Sequence, residues 1–241
     1  MCLSKEFEIW NFDIRICWDW VLGIWDFTRW VLKKRVIVII LKHLMLMGKE
    51  MKQIIHVHTP LTKERALGLR AGEGVLLSGD VYTARDVAHQ RLFEALRKGN
   101  PVPISLENEI IFYAAPTPSR PGRIIGSIGP TTSSRMDRYT PLLLRHGVKG
   151  MIGKGKRSAE VVEAIRRSSA VYFGAPGGVA AMLSKCVVKA SVVAYPELGP
   201  EAIMRLTLEN FPLIVLNDSE GNDFFTEPRE KGIDRRRQVL Y

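Results

Sequence analysis

Gly129-Pro130-Thr131-Thr132-Ser133-Ser134-Arg135-Met136-Asp137 puts a glycine–proline turn, four consecutive hydroxyl residues and an arginine into nine positions. The apolar run just before it, residues 124–128, reads as a strand, and a helix is expected over 135–146. A strand, a tight turn and a helix in that order form the repeating unit of an α/β domain. The same order presents backbone N–H groups and hydroxyls at a helix N-terminus, which suits an anion. Arg135 adds a planar fork able to hold a carboxylate through two N–H bonds. The local alternative is that Thr and Ser cap the helix while Arg135 lies along the surface.

Outward from this stretch the α/β texture continues. Short β-branched or aromatic runs predict strands over 75–77, 110–113, 171–173, 187–194 and 213–216. Helices are expected over 158–167, 179–184 and 200–207. Thr83-Ala84-Arg85-Asp86 has the hydroxyl-x-x-acid spacing of a helix start. The helix it opens carries Val87, Leu92, Phe93 and Leu96 as an apolar face and stops at Gly99-Asn100-Pro101.

Two further stretches carry cations near turns. Gly150-Met-Ile-Gly-Lys-Gly-Lys-Arg-Ser158 looks like a phosphate-binding loop, but Arg157 stands where Ser or Thr should hold magnesium. The dinucleotide fingerprint fails too, because Ser158 occupies the third glycine position. What remains is a compact loop that presents Lys154 between Gly153 and Gly155. In the second stretch Arg85 falls in a first helical turn, where the dipole disfavours a cation, so anion binding is one reason for it. Asp86 is expected to serve the cap, and His89 to be an ordinary surface or packing histidine. Gly174-Ala-Pro-Gly-Gly178 reads as a turn before a helix.

Of the 241 residues, 46% are hydrophobic and 25% charged, with a net charge of +10. That composition allows one sizeable core and favours anionic partners. No long basic block or RNA-binding signature is present, so nucleic acid is not expected as the partner. The cysteines are Cys2, Cys17 and Cys186, an odd count without paired spacing, which fits a reducing cytoplasm and no disulfide framework. A four-iron cluster needs three or four thiolates, more than such spacing offers. All five tryptophans fall in the first thirty residues. Residues 1–50 are expected to be an N-terminal extension: an upstream start, an interface helix or a peripheral anchor, too short in apolar run to span a membrane. Residues 51–241 are expected to form a single α/β domain.

In series these motifs resemble the β subunit, or C-terminal half, of class I iron–sulfur fumarases and of L-tartrate dehydratase. The matching text is Leu77-Ser-Gly-Asp80, Arg85-Asp-Val-Ala-His89, the 129–137 string, Gly153-Lys-Gly155, Gly177-Gly178, Gly199-Pro-Glu-Ala202 and Phe211-Pro-Leu-Ile-Val215 with Asp218. Ala115 departs from the family's usual glycine before proline. The resemblance implies a swivelling β/β/α domain that closes over a four-iron cluster (4Fe-4S) held by an α subunit and not by this chain. It implies that Arg85, Arg135 and Lys154 bind a small dicarboxylate and that Thr131 lies beside the reacting carbon. Thr131 and Lys154 are then the expected catalytic pair, with Lys154 favouring the ionised hydroxyl; alternatively Thr131 only hydrogen-bonds substrate. Fumarate hydration and tartrate dehydration are both compatible with these residues, and a non-catalytic anion-binding module is the alternative of another class.

Overall fold

The computed structural model describes residues 54–226. The 1–50 extension, with its tryptophans, Cys2 and Cys17, lies outside the described residues, as does the basic end of the chain.

The strands are β1 (Ile54–His58), β2 (Gly74–Thr83), β3 (Ile110–Phe112), β4 (Gly150–Gly153), β5 (Val171–Gly174), β6 (Val187–Ala194) and β7 (Ile203–Asn217). They form one sheet in the order β1-β2-β3-β4-β5-β7-β6, and a second pairing of β2 with β7 closes β2, β3, β4, β5 and β7 into a small barrel. β1 to β5 run parallel, whereas β7 is antiparallel to β2, β5 and β6. The helices are α1 (Lys63–Leu67), α2 (Asp86–Arg97), α3 (Thr140–Arg145), α4 (Ala159–Ser168) and α5 (Ala180–Leu183). The consecutive parallel strands β2 to β5 are joined through α2, α3 and α4, so three strand-to-helix loops open at one end of the barrel. In such sheets the C-terminal ends of parallel strands are where ligands bind.

The local causes are plain. β3, β4 and β5 are buried at every position and read as continuous apolar or small runs, as strands covered on both faces do. Phe112 and Phe211 meet edge-to-face across the barrel, centroids 5.5 Å apart, both fully buried. α4 starts where the Ser158 side chain accepts from the Val161 N–H and ends at Ser169 in the left-handed region.

Several sequence expectations need correction. Residues 124–128 form no strand: Ser127 pairs with Thr117, the Ile128 N–H donates to the Ala180 carbonyl at 3.2 Å, and a Cβ on Gly126 would sit 2.2 Å from the Thr117 carbonyl. The 135–146 helix is split into a 3-10 turn, Ser133–Met136, and α3, because Pro141 belongs in a first helical turn. Residues 200–207 form no α-helix. A 3-10 segment, Pro196–Glu201, gives way to β7, where Leu206 and Leu208 face the core and Arg205 faces out. β1 and β4 are strands that periodicity did not reveal. In α2 the core face includes His89, while Val87 is exposed. Thr83 does not cap α2; its hydroxyl accepts the Met204 N–H at 3.0 Å.

Candidate active site

The loop after β3 and the loop after β4 are laid side by side by backbone hydrogen bonds. The Thr131 N–H donates to the Tyr113 carbonyl at 2.7 Å, the Lys154 N–H to the Thr131 carbonyl at 3.2 Å, and the Ser133 N–H to the Lys154 carbonyl at 2.9 Å. Thr131, half-buried, and Lys154, exposed, are thus fixed next to each other by main chain alone. Gly153 is required for that approach: a Cβ there would lie 1.9 Å from Ser133 Oγ. Gly155, at φ +85°, then turns the chain away.

The other two cations meet on one carboxylate. Arg85 ends the loop after β2, and Arg135 sits in the 3-10 turn after β3. Arg135 Nη2 donates to Asp86 Oδ2 at 2.5 Å, and Arg85 Nε lies 3.4 Å from the same oxygen. Arg85 Nη2 also donates to Glu201 Oε1 at 2.9 Å, while Glu201 Oε2 accepts the Val87 N–H at 3.1 Å. A carboxylate 114 residues away therefore caps α2 and offsets the cation at its start. In the sequence Glu201 stands out only within Gly199-Pro-Glu-Ala202, and no local pattern assigns it this role. The two pairs are linked through the Ser133–Met136 turn, which carries Arg135 and whose Ser133 N–H bonds the Lys154 carbonyl.

Beneath both loops lies Arg157, whose side chain is wholly buried. Its Nε donates to Asp137 Oδ1 and its Nη2 to Thr140 Oγ1, each at 2.7 Å. The guanidinium carbon also stands 5.3 Å from the Tyr113 ring centre and 5.0 Å from that of Tyr172. Burial opposes its charge, but Tyr113 and Asp137 outweigh it and raise the guanidinium pKa further. The Tyr172 hydroxyl is 2.9 Å from the Gly155 carbonyl, to which it can only donate, and 2.9 Å from Ser133 Oγ. Asp137 Oδ2 accepts the Ser158 N–H at 2.8 Å. The residue that disqualifies a phosphate loop is therefore the one that locks the Thr131 loop to the Lys154 loop.

His89 is a packing residue, fully buried between Tyr113 and Tyr139. Its Nδ1 is 3.0 Å from the Arg85 carbonyl, so Nδ1 carries the proton and Nε2 is a buried acceptor. Burial lowers its pKa from 6.5 to about 4. Other motif residues also prove structural. Asp80 binds Arg205 and Thr207 across β2 and β7, and Asp218 accepts from the N–H groups of Ala71, Glu220 and Asn222. Gly177 and Gly178 lie in the turn between β5 and α5. Among the described residues no group of three or more His, Cys, Asp or Glu is arranged to hold a metal, and Cys186 is buried in the core. No helix among them is long and apolar enough to cross a membrane.

Fold and site together define a mixed α/β domain with a small barrel, whose cation-bearing loops cluster at the C-terminal ends of parallel strands. The chain belongs to the Fumarase C-terminus family, which matches residues 37–228. It is 42% identical over 153 residues to the anaerobic class I fumarate hydratase of Escherichia coli, covering 63% of this chain and 28% of that protein. To fumarate hydratase 2 of Leishmania major it is 38% identical over 158 residues, 65% of this chain and 28% of that protein. To a Methanocaldococcus jannaschii protein provisionally named L(+)-tartrate dehydratase subunit beta it is 36% identical over 186 residues, 75% of this chain and 95% of that protein. The relatives are hydro-lyases by name. The chain spans 28% of the length of the two fumarate hydratases and nearly all of the β subunit.

Proposed function

We propose that this chain is the swivelling, β-type part of a cytoplasmic iron–sulfur hydro-lyase that interconverts fumarate and malate. The observation that carries this reading is the gathering of Arg85 and Arg135, 50 residues apart in sequence, on the single carboxylate of Asp86. Beside them, main-chain bonds hold Thr131 against Lys154. Two guanidinia and an ammonium at one end of a barrel suit a dicarboxylate. Such fixed cations matter most as charge develops when a proton leaves the carbon next to a carboxylate.

In this mechanism Arg135 holds one substrate carboxylate through its exposed fork, and Arg85 adds positive potential from behind. Thr131 faces the carbon that loses the proton. Lys154 stabilises the negative charge on its oxygen, which is how a hydroxyl of ordinarily very high pKa serves as acceptor. The iron–sulfur cluster is assigned to an α-type partner. The described residues do not fit one, since Cys186 is the single thiol among them and is enclosed in the core. Tartrate dehydration is the second reading, favoured by the match across 95% of the β-subunit relative, a protein of similar extent.

The test is reconstitution with each chain omitted in turn. The full chain mixed anaerobically with a cluster-bearing α partner should consume fumarate, followed by its ultraviolet absorbance, or dehydrate tartrate in the second case. Either chain alone should be inactive. Turnover by this chain alone, stripped of iron, would refute the division of labour.

A further inference from the structure

We propose that Asp86 is the positioning residue of the two-arginine carboxylate site, holding Arg135 ready through one nitrogen while leaving its remaining N–H groups for substrate. The inference rests on the reading that Arg85 and Arg135 bind a carboxylate.

The starting point is a row of alternating charge, Glu201–Arg85–Asp86–Arg135, that runs from the β6–β7 connection to the turn after β3. Its links are 2.9, 3.4 and 2.5 Å. Arg135 needs such a tether. Its side chain is 51% exposed, on a turn rather than a long helix, and a free arginine there would sample many rotamers. Among the described residues its hydrogen bond is to Asp86, made by Nη2. A guanidinium has five N–H donors in a fixed plane, so one tethered nitrogen restricts where the group sits and leaves Nε and Nη1 to receive a ligand.

Asp86 is itself held rigidly. It is the first residue of α2, where the helix dipole favours a negative charge. The residue before it is locked from behind, because the Arg85 carbonyl accepts both the His89 backbone N–H at 2.7 Å and the buried His89 ring at 3.0 Å. The residue after it is fixed by Glu201 through the Val87 N–H. The position of Arg135 is thereby referred back to the core rather than to its own turn.

A placeholder role would have the opposite sign. If Asp86 merely occupied Arg135 until substrate displaced it, its loss would tighten substrate binding. A positioning carboxylate does the reverse, since a misplaced clamp weakens it. The experiment is steady-state kinetics of the full chain in complex with its cluster-bearing partner, comparing wild type, Asp86→Asn, Asp86→Glu and Arg135→Ala. Asp86→Asn keeps the shape and an acceptor oxygen but drops the charge.

The expected result is KM raised about ten-fold by Asp86→Asn, with kcat changed by less than about two-fold and the melting temperature of the free chain unchanged. Asp86→Glu should recover part of that loss. A lowered or unchanged KM overturns the proposal, and so does a collapse of kcat at constant KM, which would put Asp86 in the chemistry. Arg135→Ala separates the two levels. If it raises KM while Asp86→Asn does not, only the positioning role falls. If Arg135→Ala leaves KM unchanged, the carboxylate-site reading fails and takes the proposal with it.

Discussion

Arg135 and Asp137 stand two residues apart in the same nine-residue string, yet each belongs to a different ion pair with a different environment. Asp137 pairs with Arg157, whose side chain is fully buried and carries two further polar contacts and two aromatic faces. Arg135 pairs with Asp86 at a surface where its side chain is half exposed. The inward pair joins two loops to the barrel, and the outward pair leaves an arginine open to solvent, where the proposed function puts the ligand. The difference lies in desolvation. A buried guanidinium left without its partner costs heavily, whereas an exposed one is rehydrated. The buried pair should govern stability and the exposed pair substrate binding.

The largest expected effect is on the buried pair. Arg157→Met leaves Asp137 and Thr140 without their partner and should destabilise the chain by about 3–5 kcal/mol, read by urea unfolding. A loss below about 1 kcal/mol would erase the contrast between the pairs.

His89 packs against Tyr113, beneath Arg157, and its backbone and ring hold the Arg85 carbonyl. Unfolded, this histidine takes up a proton below 6.5; folded, burial keeps it neutral until about 4. Its contribution is therefore complete above pH 6.5 and is lost as the pH falls through that window, by about 3 kcal/mol in all. Unfolding free energies measured across the window should fall with acid in the wild-type chain, and less steeply in His89→Phe. Equal slopes would show that other groups set the acid sensitivity.

The smallest stability effect belongs to the exposed pair. Asp86→Asn should change the unfolding free energy by no more than about 1 kcal/mol, since solvent and salt screen a pair of this exposure. A loss comparable to that of Arg157→Met would mean that the outward pair is structural as well.

Much of this arrangement was legible in the sequence. The resemblance singles out Arg85, Thr131, Arg135 and Lys154 as expected site residues, and the structure puts them on loops at one end of the barrel, Thr131 beside Lys154 and both arginines against Asp86. Local signals also located α2, α4, β3, β5 and β6, because each carries a clear period or cap. The failures have physical causes. Pro141, inside the expected 135–146 helix, was a readable stop that the apolar pattern masked. Strand β4, Gly-Met-Ile-Gly, is too short and glycine-rich for periodicity to register. The helix expected over 200–207 fails because Leu206 and Leu208 alternate with Arg205 and Thr207, and Pro200 ends rather than opens a helical turn. Glu201 and Arg157 could not be assigned from local text, since their roles exist only once distant loops meet. Of the quoted motifs, Leu77–Asp80 and Asp218 turned out to hold strands and turns together, which a match in sequence does not distinguish from binding.

Arg135→Lys in the reconstituted complex tests the central contrast most directly, because lysine keeps the charge and removes the fork. The account predicts an unchanged melting temperature of the free chain and kcat/KM reduced by about two orders of magnitude, with KM raised. A near-normal kcat/KM, or a loss that merely follows a loss of folding, would contradict it.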